Sequence, residues 1–455
     1  MRARTIRLTA TMLLGVGVFL FWWFLHPEAL SFQEQNQLFL WTGDYFWQRL
    51  SVAGGLADWL GEFIVQFYYV EWLGALLLAL LFMLMQRLVF RFFRLGPRRS
   101  SLVLHLAFVI SFLPPLFFLW LMGDENVLLS LPVAFLLLLV AAAVMRRVRP
   151  WWWLVVVPML WWAVGSSWTT YYRIPQQGPQ LSGWDSDKWE LLKQDYLIRN
   201  ERWDEVIERA KKHEVHTPFW SNSVNLALAM TGQLADKMFD FWQSGTDALL
   251  MPMVRDNMSD LPTAEAFWRL GMVNSAQRYM SDIQESILNA RKSGRCEQSI
   301  VECMLVNGQY KPARKHIALL QKSLFYRSWA TSASMIVEAA TSPGLSPLQA
   351  AIEKKRAMRY KQNFLYNYAE IDKMLGILFQ ENTANKMALE YFLGQLLLKG
   401  DAPAFMQALP WAQQYGGYPV MPLVCQDAVN CIRQQAAGQS PYSKYLQRMM
   451  GGRRP

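Results

Sequence analysis

The chain has 455 residues, 53% of them hydrophobic, with 45 Lys and Arg against 35 Asp and Glu for a net charge of +10. That length exceeds the roughly 150 residues of one domain, and the mean hydropathy of +0.08 averages two unlike halves. Residues 1–167 hold 12 arginines, 8 acids and no lysine; the arginines sit at the ends of apolar runs rather than on one soluble face, which excludes a nucleic-acid binder and points to a membrane.

A hydrocarbon core of about 30 Å takes roughly 20 apolar residues as helix. Residues 8–25, 72–90, 102–122, 127–145 and 151–168 all come near that, so five spans are expected in a transmembrane domain of residues 1–168. Pro114 and Pro115 should kink the third. Arg2, Arg4 and Arg7 precede the first span; Arg87 to Arg99 surround the gap after the second; Arg146, Arg147 and Arg149 fill the gap after the fourth. Eleven of the 12 arginines thus share one side, and all eight acids fall on the other. The positive-inside rule makes the arginine side cytoplasmic. Five crossings then put everything after Trp168 outside. The first span ends in Phe24, Leu25, His26 and Pro27 without a small-residue cleavage site, so it reads as a retained anchor.

The outer loop of residues 26–71 is too apolar to be a plain connector. Leu56, Trp59, Leu60, Phe63, Ile64 and Phe67 follow helical spacing, with Asp58, Glu62 and Gln66 on another face and Gly54-Gly55 freeing the turn before them. This predicts an amphipathic helix lying in the outer interface; a second candidate helix runs through 34–50. Asp58 and Glu62 form either a water-facing stripe or a carboxylate pair about 6 Å apart that handles a proton or a cation.

Residues 169–186, with Pro175, Gly178 and Pro179, form a linker. From 187 to 435 helical patterns alternate with similar turns at Asn200–Trp203, Thr231–Leu234, Gly271–Asn274, Asn307–Tyr310 and Lys399–Asp401. In the first four, the marks Asn200, Gly232, Gly271 and Gly308 are 32, 39 and 37 residues apart. Small residues before the turn and an alanine-bearing helix after it resemble tetratricopeptide (TPR) repeats, whose period is 34 residues. The fold class expected is all-α: a transmembrane bundle, then a TPR-like α-solenoid, then a basic tail over 436–455. Stacked hairpins leave a groove that holds peptides or proteins. Tyr279, Tyr310, Tyr326 and Trp329 are candidates to line it, against the alternative that each packs in the core.

Four segments carry a wider likeness: Glu34-Gln35-x-x-Leu38-Phe39; Gly54-Gly55-Leu56 with Glu62-Phe63-x-x-Gln66-Phe67; Asn225-Leu226-Ala227-Leu228-Ala229-x-x-Gly232-Gln233-Leu234; and Ser323-Leu324-Phe325-Tyr326-Arg327-x-Trp329-Ala330. In these the chain resembles an uncharacterised family of bacterial multi-span membrane proteins with a C-terminal helical domain. The likeness implies architecture and no catalytic residue.

Chemical motifs are sparse. Phosphate loops, nucleophile elbows and zincin helices are missing. The cysteines, Cys296, Cys303, Cys425 and Cys431, lack a CxxC pattern and read as buried thiols. His213 and His216 could share a metal on one helix face but precede Pro218 in what reads as a solvated turn. His105 lies within the third span, isolated from any acid. No metal or cofactor is expected. The leading expectation is a non-catalytic scaffold in the bacterial inner membrane, with the bilayer as one partner and a periplasmic protein or peptide on the repeats as another. The rival is a glycosyl or lipid-headgroup transferase, because the acidic first outer loop is similar to that of polyprenyl-phosphate-sugar glycosyltransferases; Asp44, Asp58 and Glu62 would then be catalytic.

Overall fold

The computed structural model describes residues 2–94, 101–145, 157, 159, 185–288, 291–338, 346–361, 367–415, 418, 420–433 and 440–451. Every regular element among the described residues is helical. The chain divides into two compact units. The first is 1–189 with 291–294 and 319–328; the second is 190–290 with 295–318 and 329–455.

The first unit contains α1 (Arg2–Leu20), α2 (Pro27–Gln35), α3 (Gly43–Leu50), α4 (Gly55–Val65), α5 (Glu71–Arg94), α6 (Ser101–Ile110), α7 (Leu113–Leu121) and α8 (Ser130–Met145). Three stretches are long and apolar enough to cross a bilayer: Arg4–Leu25, Glu71–Phe93 and Ser101–Leu121. Helix α8 accounts for 16 described residues of the span expected over 127–145, and the residues that follow Met145 lie outside the described ones. The fifth expected span, 151–168, apart from residues 157 and 159, and the linker to 184 lie outside the described residues. Helix α5 is central. Its Ala75, Leu78, Ala79, Phe82, Met85 and Val89 recur at helical spacing and are all buried, packing against α1, α6, α7 and α8. The third stretch breaks where the prolines predict: α6 ends at Ile110, Ser111 and Phe112 form a turn, and Pro114 and Pro115 open α7, where a missing N–H matters least.

Side chains repair that break from the neighbouring helices. Gln86 of α5 accepts from the Thr11 hydroxyl at 3.0 Å and donates to Ser111 Oγ at 2.7 Å, and all three residues are buried. Hydrogen bonds of this kind join helices where hydrophobic attraction between them is lost to lipid.

Residues 26–71 depart from expectation twice. The helix foreseen over 34–50 is two helices, because residues 36–42 leave the helical path and run partly extended. Along that run Leu38 N–H donates to Lys292 O at 2.7 Å and Trp41 N–H to Lys322 O at 2.8 Å, so its backbone groups find partners outside any helix. Helix α4 starts as predicted at the glycine pair. Gly54 has φ +86, and a Cβ on Gly55 would stand 1.7 Å from Arg49 O. The helix is turned the other way, however. Ala57, Gly61, Glu62, Val65 and Gln66 are its buried side, whereas Leu56, Trp59, Leu60, Phe63 and Ile64 are half-buried. Gly61 lets it close on the start of α8, since a Cβ there would lie 2.9 Å from Ser130 N.

In the second unit the five turns read from the sequence share one backbone geometry. Glu201 (φ 54), Gly232 (69), Gly271 (86), Gly308 (70) and Gly400 (72) are all left-handed. In each turn the next N–H reaches back five residues: Arg202 to Leu197 O, Gln233 to Leu228 O, Met272 to Phe267 O, Gln309 to Met304 O and Asp401 to Leu396 O, at 2.7–3.0 Å. This is the Schellman closure, which stops a helix and returns the chain. The helices that follow bury Ala276, Ala313, Ile317 and Leu320. One hairpin departs from the pattern. After Gly232 only Leu234–Lys237 is α-helical, and residues 241–260 run irregularly apart from one 3-10 turn at Gly245–Ala248. Buried amides of the helix Pro218–Met230 hold that stretch: Asn225 Nδ2 donates to Gln243 Oε1 and Ala248 O at 2.7 and 2.9 Å, and Asn222 Nδ2 to Leu249 O at 2.7 Å.

Candidate functional site

The buried side of α4 meets a set of opposite charges within the first unit. Glu62 is its hub and is 1% exposed. Its Oε1 receives Arg291 Nε at 2.7 Å; its Oε2 receives Arg49 Nε at 3.0 Å and a short hydrogen bond from the Tyr45 hydroxyl. Arg291, also buried, turns an NH2 group toward Asp58 Oδ1 at 3.4 Å. Arg49 Nε lies 3.3 Å from the Tyr45 hydroxyl and its guanidinium rests over the Tyr45 ring. Two carboxylates thus face two guanidinium groups.

Position follows from local structure. Asp58 and Glu62 are four apart on α4, hence on one face. Tyr45 and Arg49 have the same spacing on α3, which Thr42 caps by accepting from Tyr45 N–H. The tight turn at Gly54-Gly55 folds α3 back on α4. Burial raises the Asp58 carboxyl above its ordinary range; Arg291 and a hydrogen bond from Ser130 oppose the rise, and Glu62 adds to it. Burial, then the Glu62 charge, pushes the Tyr45 phenol well above its usual value, so Tyr45 is a donor to Glu62 and not an anion. Charges taken out of water are tolerable only when paired and hydrogen-bonded, and Glu62 meets that condition on both oxygens.

Tyr326 sits close by in the same unit. Its hydroxyl donates to buried Glu34 at 2.8 Å, and a Cβ on Gly294 would collide with its ring at 2.3 Å. Phe325 stacks on Tyr69, and Trp41 Nε1 donates to Gln66 Oε1 at 3.0 Å. Three of the four family-like segments, around Glu34, Glu62 and Tyr326, therefore pack in one unit. Glu34, Glu62, Gln66 and Tyr326 are all buried there.

The sequence candidates divide accordingly. Asp58 and Glu62 come together, on arginines and not on a water-facing stripe. Asp44 is exposed in the first turn of α3 and has no part in the cluster. Tyr279 is 1% exposed and donates to Met251 O at 2.8 Å, which makes it core; Tyr326 is core likewise. Tyr310 and Trp329 are half-buried, with Arg356 Nη2 on the Tyr310 hydroxyl at 3.2 Å. Cys296, Cys303 and Cys425 are buried and all four cysteines are free. His213, His216 and His105 are exposed, and His216 stacks on Trp242. Among the described residues no three His, Cys, Asp or Glu side chains gather where they could hold a metal.

Sequence reasoning missed Arg49, Arg291 and Tyr45. Arg49 carried a signal: it is the one arginine of the first 167 residues that falls in a segment holding the acids rather than with the other eleven, and a lone charge among apolar helices is expected to be paired. Arg291 carried none, standing in a polar stretch 229 positions from Glu62.

A family model covers residues 2–174 and 167–450 of the chain. The chain belongs to that family, the family of unknown function DUF6057. No curated protein and no solved structure matches the chain.

Proposed function

We propose that this chain is a membrane-anchored, non-catalytic scaffold. Its apolar helices hold it in a bacterial cytoplasmic membrane with the N-terminus inside, and its later helices form a TPR-like stack that takes a protein or peptide partner on the periplasmic side. The observation that carries the non-catalytic part is the engagement of Asp58 and Glu62. A transferase would need at least one of them free to meet substrate or metal, yet Glu62 accepts from Arg291, Arg49 and Tyr45 and is shut from solvent. The same pairing supports the orientation, because it accounts for the only arginine that breaks the charge asymmetry. The binding role leans on the five like-capped turns, four of which join helix pairs with apolar edges to bury by stacking.

Photo-crosslinking residues placed along 190–430 in intact cells test it. A single recurrent partner on this unit is the expected outcome. Capture of unselected abundant proteins alone would count heavily against the scaffold. Loss of cellular function in Asp44→Ala and Asp58→Asn chains that still fold would favour the transferase.

A further inference from the structure

The second unit holds a groove of about 470 Å³ between the ends of four helices, within the size range of ligand sites. Its floor is apolar and adaptable: Met230, Met358 and Met387 with Trp268, and methionine reshapes readily around a guest. Its rim is cationic. Arg269, Lys354, Lys355 and Lys386 all line it, and among the described residues no acid does.

The four cations are not equivalent. Arg269 is already satisfied by Glu265 at 2.7 Å and Glu201 at 2.6 Å. Lys354, Lys355 and Lys386 make no ion pair with an acid among the described residues. Lys355 instead donates to Trp268 O at 2.8 Å and lies over the Trp268 ring at 4.9 Å. Burial, and then the charge of Arg269, lowers its ammonium to about 8, with Glu265 opposing the fall. Three lysines without an ion-pair partner among the described residues, over an apolar floor, call for a guest with anionic groups flanking an apolar side chain. The chain itself is a poor source, since at +10 two copies repel.

We infer that this groove is the recognition site for an acidic, amphipathic peptide segment, its carboxylates on Lys354, Lys355 and Lys386 and its apolar side chain on the methionines and Trp268. This rests on the scaffold reading and names the partner's chemistry. Lysine serves here as a point charge on a flexible stem, so the site selects acidity and an apolar anchor more than an exact sequence.

The test uses the full chain in detergent micelles and a fluorescent pool of hexapeptides randomised over Glu, Asp, Leu, Phe and Met. Controls are the same pool with Gln and Asn for the acids, and inorganic phosphate as competitor. Saturable binding of the acidic pool is expected. Lys354→Glu with Lys386→Glu should weaken it at least about tenfold. Both lysines are exposed, so the variant keeps its fold, which circular dichroism checks. Met387→Asp should weaken binding as well, whereas Lys373→Glu, whose lysine is outside the groove, should leave it unchanged. Equal binding of the uncharged pool, indifference to the double reversal, or full displacement by millimolar phosphate would each overturn the assignment. Should crosslinking trap a specific partner at residues remote from Lys386, the groove falls and the scaffold stands. If neither crosslinks nor peptide are retained, both fall.

Discussion

Arg291 Nε donates to Glu62 Oε1 at 2.7 Å across 229 residues of sequence. Each is a buried charge that the other compensates, and in such pairs removing one partner is far worse than removing both. Arg291→Ala should therefore destabilise the first unit by about 3–5 kcal/mol, with Arg49→Ala milder because Arg49 is more exposed, 13% against 4% for Arg291. The double change Arg291→Met with Glu62→Gln should recover much of the loss. Thermal unfolding of the detergent-solubilised chain, followed by tryptophan fluorescence, checks the order. A double variant no more stable than Arg291→Ala would show that the pair is not the relevant unit.

The turns of the second unit were legible because a left-handed residue limits side chains to almost glycine alone, so Gly232, Gly271, Gly308 and Gly400 mark them in any sequence. The three long apolar stretches were legible from length and hydropathy. The facing of α4 was not. Amphipathic spacing says that two faces differ and leaves open which is buried, and the usual assumption fails when the polar face meets arginines from elsewhere. Nor was the irregular stretch 241–260 legible, since it is held by Asn222 and Asn225 of a neighbouring helix rather than by its own pattern. The cluster was half legible: Asp58 and Glu62 through their spacing, Arg291 through nothing local.

Two of those glycines make a graded pair. A Cβ at Gly232 meets nothing within 4 Å, whereas one at Gly271 would lie 2.6 Å from Met358 O. Gly232→Ala should cost only its left-handed backbone strain, about 1–2 kcal/mol. Gly271→Ala should cost that plus displacement of the backbone at Met358. Melting temperatures of the two variants should fall in that order, and equal losses would refute the close approach.

Asp260 should give the second unit a pH dependence. The residue is buried and its carboxyl takes Val254 N–H on both oxygens, at 3.1 and 3.0 Å. Burial raises it from 3.8 to about 7, against that hydrogen bond and with Asp256 and Asp282 adding to the rise. The folded chain thus holds the proton more tightly than the unfolded one. The stabilisation is complete below about 4 and is lost as pH climbs through 7. Asp260→Asn keeps an oxygen for Val254 and cannot titrate, so it should flatten part of the fall in urea midpoint between those limits. Glu302, also raised to about 7, accounts for slope that persists.

Gln86 tests how much a buried amide contributes among apolar helices. It joins Thr11 of α1 to Ser111 at the break between α6 and α7, so three stretches meet on one side chain. Both hydroxyls have a second recourse: Thr11 Oγ1 also reaches Arg7 O at 3.0 Å, and Ser111 Oγ reaches Phe108 O at 2.6 Å. Gln86→Leu therefore strands neither of them, and its loss should stay near or below about 1 kcal/mol, as for most such bonds between membrane helices. Gln86→Lys places a charge where no acid faces it among the described residues, and should cost at least about 2.5 kcal/mol. Thermal melts in detergent compare the two. A leucine variant as unstable as the lysine one would mean that the amide fixes the break after Ser111 rather than merely joining the helices beside it.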